Sequence, residues 1–116
     1  MVRDATVREV CNGGFDQYFH NSSGDYFDSA VEGLRTIGAL ESLRLLLAAK
    51  EVLFGDAAVP VDTGDRRIFL AAADSETESN RDEALDALDR AFYEDPDKFA
   101  DRMREFAKKH DLQKNF

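Results

Sequence analysis

The sequence has little of several residue types that often shape small proteins: one cysteine, no tryptophan and two prolines among 116 residues. Because Cys11 stands alone, no internal disulfide can form, and a reducing compartment, the cytoplasm, is the simpler expectation. No segment approaches the roughly 20 apolar residues of a membrane helix, and the first residues lack the apolar run of a signal peptide. We therefore expect a cytoplasmic protein that makes no contact with a membrane.

Alternating runs of β-branched residues, the pattern of a strand, are also missing, and so are internal repeats. Apolar residues instead recur at helical spacing nearly everywhere, and glycine or proline separates the helical segments. A chain of this length forms one domain and buries roughly two-thirds of its unfolded surface, enough for one core without a metal. The sequence thus predicts a single all-α domain over residues 1–116, a compact bundle of five to seven helices with no sheet.

Two helical segments in the middle of the chain differ in their apolar faces. Residues 40–54 are apolar on most faces, which is typical of the most buried helix of a bundle. The polar sequence DSETESN, residues 74–80, is interpreted as a hinge before a later helix. Residues 66–73 are amphipathic, and the residues expected to point inward are Ile68, Phe69 and Ala72.

The most unusual stretch is NGGFDQYFHNSSGDYF, residues 12–27. Glycine costs about 1 kcal/mol relative to alanine inside a helix, so the sequence Asn-Gly-Gly is expected to break the first helix. Ser22 or Ser23 is the expected N-cap of the following segment, and Asp25 places a carboxylate near its positive end. On this interpretation, the stretch ends one helix and begins the next.

Three aromatic residues of this stretch share one face of a short helix, because they are spaced at i, i+3 and i+4. We expect Phe15 and Phe19 to be buried against the helix of residues 43–54. Tyr18 is expected to be partly exposed.

The same stretch contains side chains that could carry chemistry. Asp16 and His20 lie four residues apart on one helical face and could pair or, with Asp25, share a metal. One histidine and two acids fall short of a closed zinc site, and no strand precedes the double glycine as a phosphate loop requires. The sequence therefore predicts no metal, no cofactor and no catalytic residue. An uncharacterised small-ligand-binding or hydrolytic domain using residues 12–26 is the alternative.

This stretch resembles the signature of a bacterial family of small acidic helical domains that is named after a DNA-mimic protein. The signature reads Asn-Gly-Gly-Phe-x-Gln-aromatic-aromatic-x-Asn-x-x-Gly-Asp-aromatic. A looser similarity covers LDRAFYEDPDKF, residues 88–99, and together the matches span residues 9–108. The residues of this chain that match the first signature are Asn12, Gly13, Gly14, Phe15, Gln17, Tyr18, Phe19, Asn21, Gly24, Asp25 and Tyr26.

The resemblance implies an all-α fold and a non-enzymatic role, since no activity or catalytic set is established for the family. In the namesake member, dimers present an acidic surface that imitates the phosphates of duplex DNA and so occupies a DNA-binding protein. For this chain, monomer and homodimer both stay open. The motif residues that we interpret as structural are Asn12, Gly13, Gly14, Phe15, Gln17, Phe19, Asn21, Gly24 and Asp25.

Negative charge is concentrated in one part of the chain. The net charge is −9, and residues 74–101 hold 11 acids and 3 bases, a net charge of −8. Such a field repels nucleic acid and attracts basic surfaces. Acids four residues apart on a helix step about 6 Å along one side, on the scale of a phosphate backbone. The acids expected to lie exposed in such a row, beside a buried stripe of Leu85, Leu88 and Phe92, are Asp82, Asp86 and Asp89.

This acidic face has two interpretations, a solvated surface that keeps the protein soluble or a binding surface for a basic partner. A cation site is a weaker option, because Asp62, Asp65 and Asp74 lack the 12-residue spacing of a calcium loop. Our hypothesis is a non-enzymatic protein-interaction domain, a DNA mimic that binds a basic nucleic-acid-binding protein such as a transcription factor and no nucleic acid directly. The residues predicted to bind it are Asp82, Asp86, Asp89, Glu78 and Asp95.

Overall fold

The structure is a computed structural model that describes the backbone of residues 2–114. It describes the side chains of residues 10–109 apart from Asn12 and Phe99. Within that range there is no strand, and the all-α prediction is confirmed. The elements are α1 (Val2–His20), a 3₁₀ turn (Ser22–Tyr26), α2 (Phe27–Thr36), α3 (Leu40–Phe54), α4 (Thr63–Ala71), α5 (Ser75–Tyr93) and α6 (Phe99–Lys114).

Helix α1 is two helices joined at a kink. Gly14 has φ 81° and ψ −179°, a conformation that is essentially restricted to glycine. The chain therefore breaks its helical path at the double glycine, as the sequence predicts, and a short aromatic helix runs on from Phe15 to His20. The described residues contain no helix that is both long and apolar enough to cross a membrane.

The core forms where the aromatic helix meets α3 and α5. Phe15 packs edge-on against Phe92 of α5 with ring centroids 5.2 Å apart, and Phe19 packs against Phe54 of α3 at 5.5 Å. The predicted burial of both phenylalanines is confirmed, although Phe15 contacts α5. Tyr18 corrects the prediction of partial exposure: its ring is fully buried, edge-on to Phe19 at 5.0 Å.

Helix α4 turns a different face inward from the predicted one. Ile68 is 72% exposed and Phe69 is 39% exposed, and Ala72 lies at the exposed end of the helix. The buried residues of α4 are instead Arg66 and Leu70, one helical turn apart. The apolar residues of α4 do not mark its inward face, because that face carries an arginine.

The interpretation of residues 74–80 as a hinge is also wrong. Asp74 is the N-cap of α5, and its side chain accepts a hydrogen bond from the backbone N–H of Thr77. Residues 75–80 are the first turns of that helix. Their polarity reflects exposure on all sides, because α5 contributes only Leu85 and Phe92 as buried residues.

Candidate functional site

The second half of the N-terminal motif is organised around Arg66, whose side chain is fully buried. Its Nε donates to the carbonyl oxygen of Phe19 at 2.8 Å, and its Nη2 donates to that of Asn21 at 2.8 Å. Its Nη1 donates to the carbonyl oxygens of Pro60 and Val61 at 2.9 and 2.8 Å. We call this guanidinium and its oxygen partners the arginine clasp. It ties the end of α1 to the loop that precedes α4.

The carboxylate in the clasp is Asp25. Its Oδ1 accepts from Arg66 Nη2 at 2.7 Å and from the hydroxyl of Thr63 at 2.8 Å. The hydrogen bond from Arg66 and, next, that from Thr63 lower the pKa of Asp25 below its ordinary value. The charge of the buried guanidinium is thereby matched within the chain, as burial requires.

Gly24 is buried against the same guanidinium. A Cβ atom at this position would lie 2.9 Å from Arg66 Nε and 3.0 Å from Cζ. The arginine is held by four carbonyl groups and a carboxylate, so it has little freedom to move aside. The motif dipeptide Gly24-Asp25 thus has a structural explanation, since one residue makes room for the arginine and the other neutralises it.

Ser22 and Ser23 do not cap a helix as predicted. The N-cap of the 3₁₀ turn is Asn21, which makes no side-chain capping bond. The hydroxyl of Ser23 donates backward to the carbonyl oxygen of Tyr18 at 3.1 Å. The side chain of Asn12, the first motif residue, lies outside the described side chains.

The three candidate chemical side chains of the stretch do not come together. His20 Nδ1 lies 2.9 Å from the carbonyl oxygen of Asp16 and 3.4 Å from its Oδ1, a local contact on the surface. Asp25 is engaged in the arginine clasp. Among the described residues no group of three or more His, Cys, Asp or Glu side chains could hold a metal ion. Among the described residues these three side chains therefore do not form one site, the arrangement that would favour the small-ligand alternative.

Asp16 and His20 do line a surface groove of 330 Å³ between the end of α1, the end of α4 and the first half of α5. Its other charged residues, all from α5, are Glu78, Arg81 and Asp82. Its apolar residues are Leu53, Leu70 and Ala71.

A neighbouring groove of 460 Å³ shares Leu53 and Arg81 with this one. Among its lining residues, Glu51 balances Arg81, so this second groove has no excess of negative charge. The 330 Å³ groove differs, because three carboxylates face one arginine there.

Four of the five acids that the sequence predicts to form a binding face are exposed. Asp82, Asp86, Glu78 and Asp95 are exposed. Three of them follow one another at four-residue spacing on α5, so each step covers about 6 Å along one side of the helix. We call these three residues, Glu78, Asp82 and Asp86, the acidic stripe.

Asp89 corrects the prediction of an exposed row of three aspartates. It is partly buried beside the kink of α1, where its Oδ1 accepts from the backbone N–H of Phe15 at 2.9 Å. Burial raises the pKa of Asp89, and the nearby charges of Asp86 and Asp16 act in the same direction, against the bond from Phe15. A Cβ on Gly14 would lie 2.9 Å from the Asp89 carboxyl carbon. Asp89 therefore stabilises the kink of α1, although the sequence predicts it in an exposed row with Asp82 and Asp86.

Other acids outside the predicted binding face also serve the fold. Asp97 accepts from the backbone N–H of Ser42 in the first turn of α3. Asp62 caps α4 by accepting from the backbone N–H of Asp65 at 3.0 Å, as Asp74 caps α5. These carboxylates satisfy N–H groups that have no partner inside their helices.

Arg66 is the residue that sequence reasoning missed. It stands in an amphipathic helix, where an arginine usually lies on the solvated side. One signal was the four-residue spacing between Arg66 and Leu70, which places both on one face of the helix. If that face points inward, Ile68 must be exposed, which is the second signal. Neither signal shows which oxygen atoms would satisfy the guanidinium, because its four carbonyl partners come from loops or a helix end and its carboxylate partner from the 3₁₀ turn.

The chain matches the family model described as DMP19-like protein over residues 4–110. The match covers most of the chain, so the protein belongs to the DMP19-like family, and the resemblance carried by the N-terminal stretch is confirmed. The comparison with curated proteins gives no match. The comparison with solved structures gives none either.

Proposed function

We propose that this DMP19-like protein is a non-enzymatic interaction domain, a DNA mimic that binds a basic nucleic-acid-binding protein in the cytoplasm. The observation that carries the proposal is the acidic stripe. Its residues, Glu78, Asp82 and Asp86, are exposed on one rigid helix and repeat at about 6 Å.

Three ion pairs elsewhere on the described surface join neighbouring positions of one helix, and one of the three stripe residues is paired in the same way. Glu32 pairs with Arg35, Glu41 with Arg44 and Asp101 with Arg104, each three residues apart on one helix. Within the stripe, Asp86 contacts Arg90, but both side chains are more than half exposed. An exposed pair of this kind contributes about 0–1 kcal/mol and leaves the carboxylate open to a stronger partner.

A surface of this kind selects its partner by charge. Basic DNA-binding proteins carry lysine and arginine side chains that are arranged to meet phosphates. Carboxylates at a comparable spacing attract the same side chains, raise the association rate and lose their effect when salt screens them over about 8 Å. The proposal therefore predicts salt-sensitive binding that competes with duplex DNA.

The test starts with a basic DNA-binding protein recovered on the tagged chain, which is then purified. Its dissociation constant is measured for the parent and for the stripe variant Glu78→Gln, Asp82→Asn, Asp86→Asn. The control variant Asp28→Asn, Glu32→Gln, Asp56→Asn removes the same charge from exposed positions on α2 and the α3–α4 loop.

At low salt the stripe variant should bind at least about tenfold more weakly and the control variant within about twofold, because direct contacts outweigh the general field. Added duplex DNA should displace the parent chain from the partner. Equal weakening of the two variants, salt-independent binding, or a DNA complex that tolerates the bound chain would refute the proposal.

A further inference from the structure

The 330 Å³ groove has a shape and a charge that select one kind of side chain. Leu53 and Leu70 lie at its base, and both are buried, with 2% and 7% exposure. Ala71 borders it at the end of α4. The groove is therefore a recess between four helices, in which apolar residues of α3 and α4 lie beside charged residues of α1 and α5.

The rim of the groove carries an excess of negative charge. Asp16 comes from α1, and Glu78 and Asp82 come from α5. Among the described lining residues, Arg81 is the one basic residue besides His20, whose ring already lies against the carbonyl oxygen of Asp16 at 2.9 Å. With His20 neutral, the lining groups have a formal charge of −2.

We propose, on the premise of the proposed function, that this groove seats an arginine side chain of the basic partner. An arginine has an apolar stem that packs on leucine and a planar guanidinium that can bond two carboxylates at once. Ala71, which is exposed, and the small accessible parts of the two leucines can contact the stem, and the carboxylates on either side suit the guanidinium. A volume of 330 Å³ is at the lower end of the range for ligand pockets, about 300–1,000 Å³.

Lysine fits this arrangement less well. Its ammonium group is a compact, strongly hydrated charge that meets one carboxylate well and cannot span two in one plane. The groove would thus add a preference for arginine to the general attraction of the acidic stripe.

The test uses a blocked Gly-Arg-Gly tripeptide as the probe and follows the methyl NMR signals of Leu53, Leu70 and Ala71 in the whole chain. Analogues with citrulline, which is neutral, and with lysine replace the arginine. The arginine peptide should give saturable shifts at these methyl groups. Citrulline should bind at least about fivefold more weakly, because it has lost the charge that the carboxylates attract.

Three variants separate the groove from the stripe. Asp16→Asn lies in the groove but outside the stripe, and should weaken the arginine peptide about two- to fivefold. Ala71→Phe fills the groove without changing charge, and should abolish the saturable shifts. Asp86→Asn lies in the stripe but outside the groove, and should change binding by less than about twofold.

Equal shifts from the citrulline and arginine peptides, or unchanged binding by Ala71→Phe, would overturn the proposal. The purified basic partner distinguishes this failure from failure of the function. If the partner binds the stripe variant more weakly but binds Ala71→Phe like the parent, the proposed function is supported and the arginine site in the groove is refuted. A loss of affinity in Ala71→Phe and in Asp16→Asn supports the seat within the same interface.

Discussion

The arginine clasp and the acidic stripe are both built from charged side chains, but their partners lie in different places. Arg66 is fully buried, and every oxygen that it contacts belongs to this chain. The stripe residues are exposed, and the one ion pair that they form with other described residues is the solvent-exposed contact of Asp86 with Arg90. Buried charge must be matched inside the protein, whereas exposed charge is stable in water without a partner. The clasp therefore serves the fold, and the stripe is the region free to serve recognition.

This difference also separates two aspartates that the sequence places together. Asp86 and Asp89 are one helical turn apart on α5, yet only Asp89 accepts a backbone hydrogen bond, from Phe15. A variant that neutralises both would confuse a structural change with a loss of binding. The stripe is better tested with Glu78 in place of Asp89.

The largest effect on stability is expected from Arg66→Met. It removes every guanidinium donor, so four carbonyl oxygens lose this partner and Asp25 keeps only the Thr63 hydroxyl, a loss of about 3–5 kcal/mol in the free energy of unfolding. The matched control is Arg67→Met, because Arg67 is exposed and donates only to the carbonyl oxygen of His20. That control should cost about 1 kcal/mol or less. Urea denaturation measures both, and similar losses would contradict the clasp.

A smaller loss is expected from Gly24→Ala, whose new methyl group would meet the fixed guanidinium of Arg66. Overpacking of this kind costs roughly 1–3 kcal/mol. The same substitution made in the Arg66→Met chain should cost clearly less, because the atoms that it meets are gone. Identical costs in the two backgrounds would show that Gly24 is needed for another reason.

Gly14→Ala is expected to cost roughly 1–3 kcal/mol, since alanine resists the backbone conformation of the kink and its Cβ would press on Asp89. Gly13→Ala should also lower the melting temperature, because its Cβ would lie 2.8 Å from the Cβ of Gln17. Calorimetry measures both. If both variants kept the melting temperature of the parent, the double glycine would not be structural, and a role in ligand binding would be favoured.

Asp89 should reveal its structural role through pH. Its pKa is raised by burial, so its contribution to stability is fully present below the unfolded value of about 3.9 and is lost as the pH rises through the folded value. Asp89→Asn keeps an acceptor for the Phe15 N–H without the charge. It should be at least as stable as the parent at pH 7, and this advantage should shrink as the pH falls through the raised pKa of Asp89 and stop changing below about pH 4.

Asp89→Ala is the matched comparison, because it removes the acceptor as well as the charge. It should be about 1 kcal/mol less stable than the asparagine variant at all pH values. Urea denaturation between acid and neutral pH follows both variants. An asparagine variant that is as unstable as the alanine variant would show that the charge, not the hydrogen bond, holds the kink.

The smallest effect on stability is expected from the acidic stripe itself. Neutralising Glu78, Asp82 and Asp86 together should change the free energy of unfolding by less than about 0.5 kcal/mol, because exposed substitutions away from special contacts are nearly neutral. Binding to the basic partner should fall in the same variant. A large loss of stability would show that the stripe, like the clasp, stabilises the fold.

Much of the fold follows from local patterns. The helical spacing of apolar residues indicates α2, α3, α5 and α6, since one face of each must leave water wherever the helix packs. Local spacing fails in α4, because its inward position is an arginine and three of the partners of this arginine, Asp25, Asn21 and Phe19, lie 41 to 47 residues away along the chain. The candidate site divides in the same way: the spacing of the acids predicts the stripe, whereas the groove forms only when α1, α3, α4 and α5 meet.

By itself the sequence determined that this chain is helical, acidic and broken at Gly14, because helix period, net charge and glycine conformation are properties of neighbouring residues. Tertiary structure alone decided that Arg66 is buried, that Tyr18 joins the core and that Asp89 leaves the acidic row. Each of these outcomes depends on atoms from distant segments. A charged or polar group can leave water only where such atoms replace its hydrogen bonds, and only the folded chain brings them together.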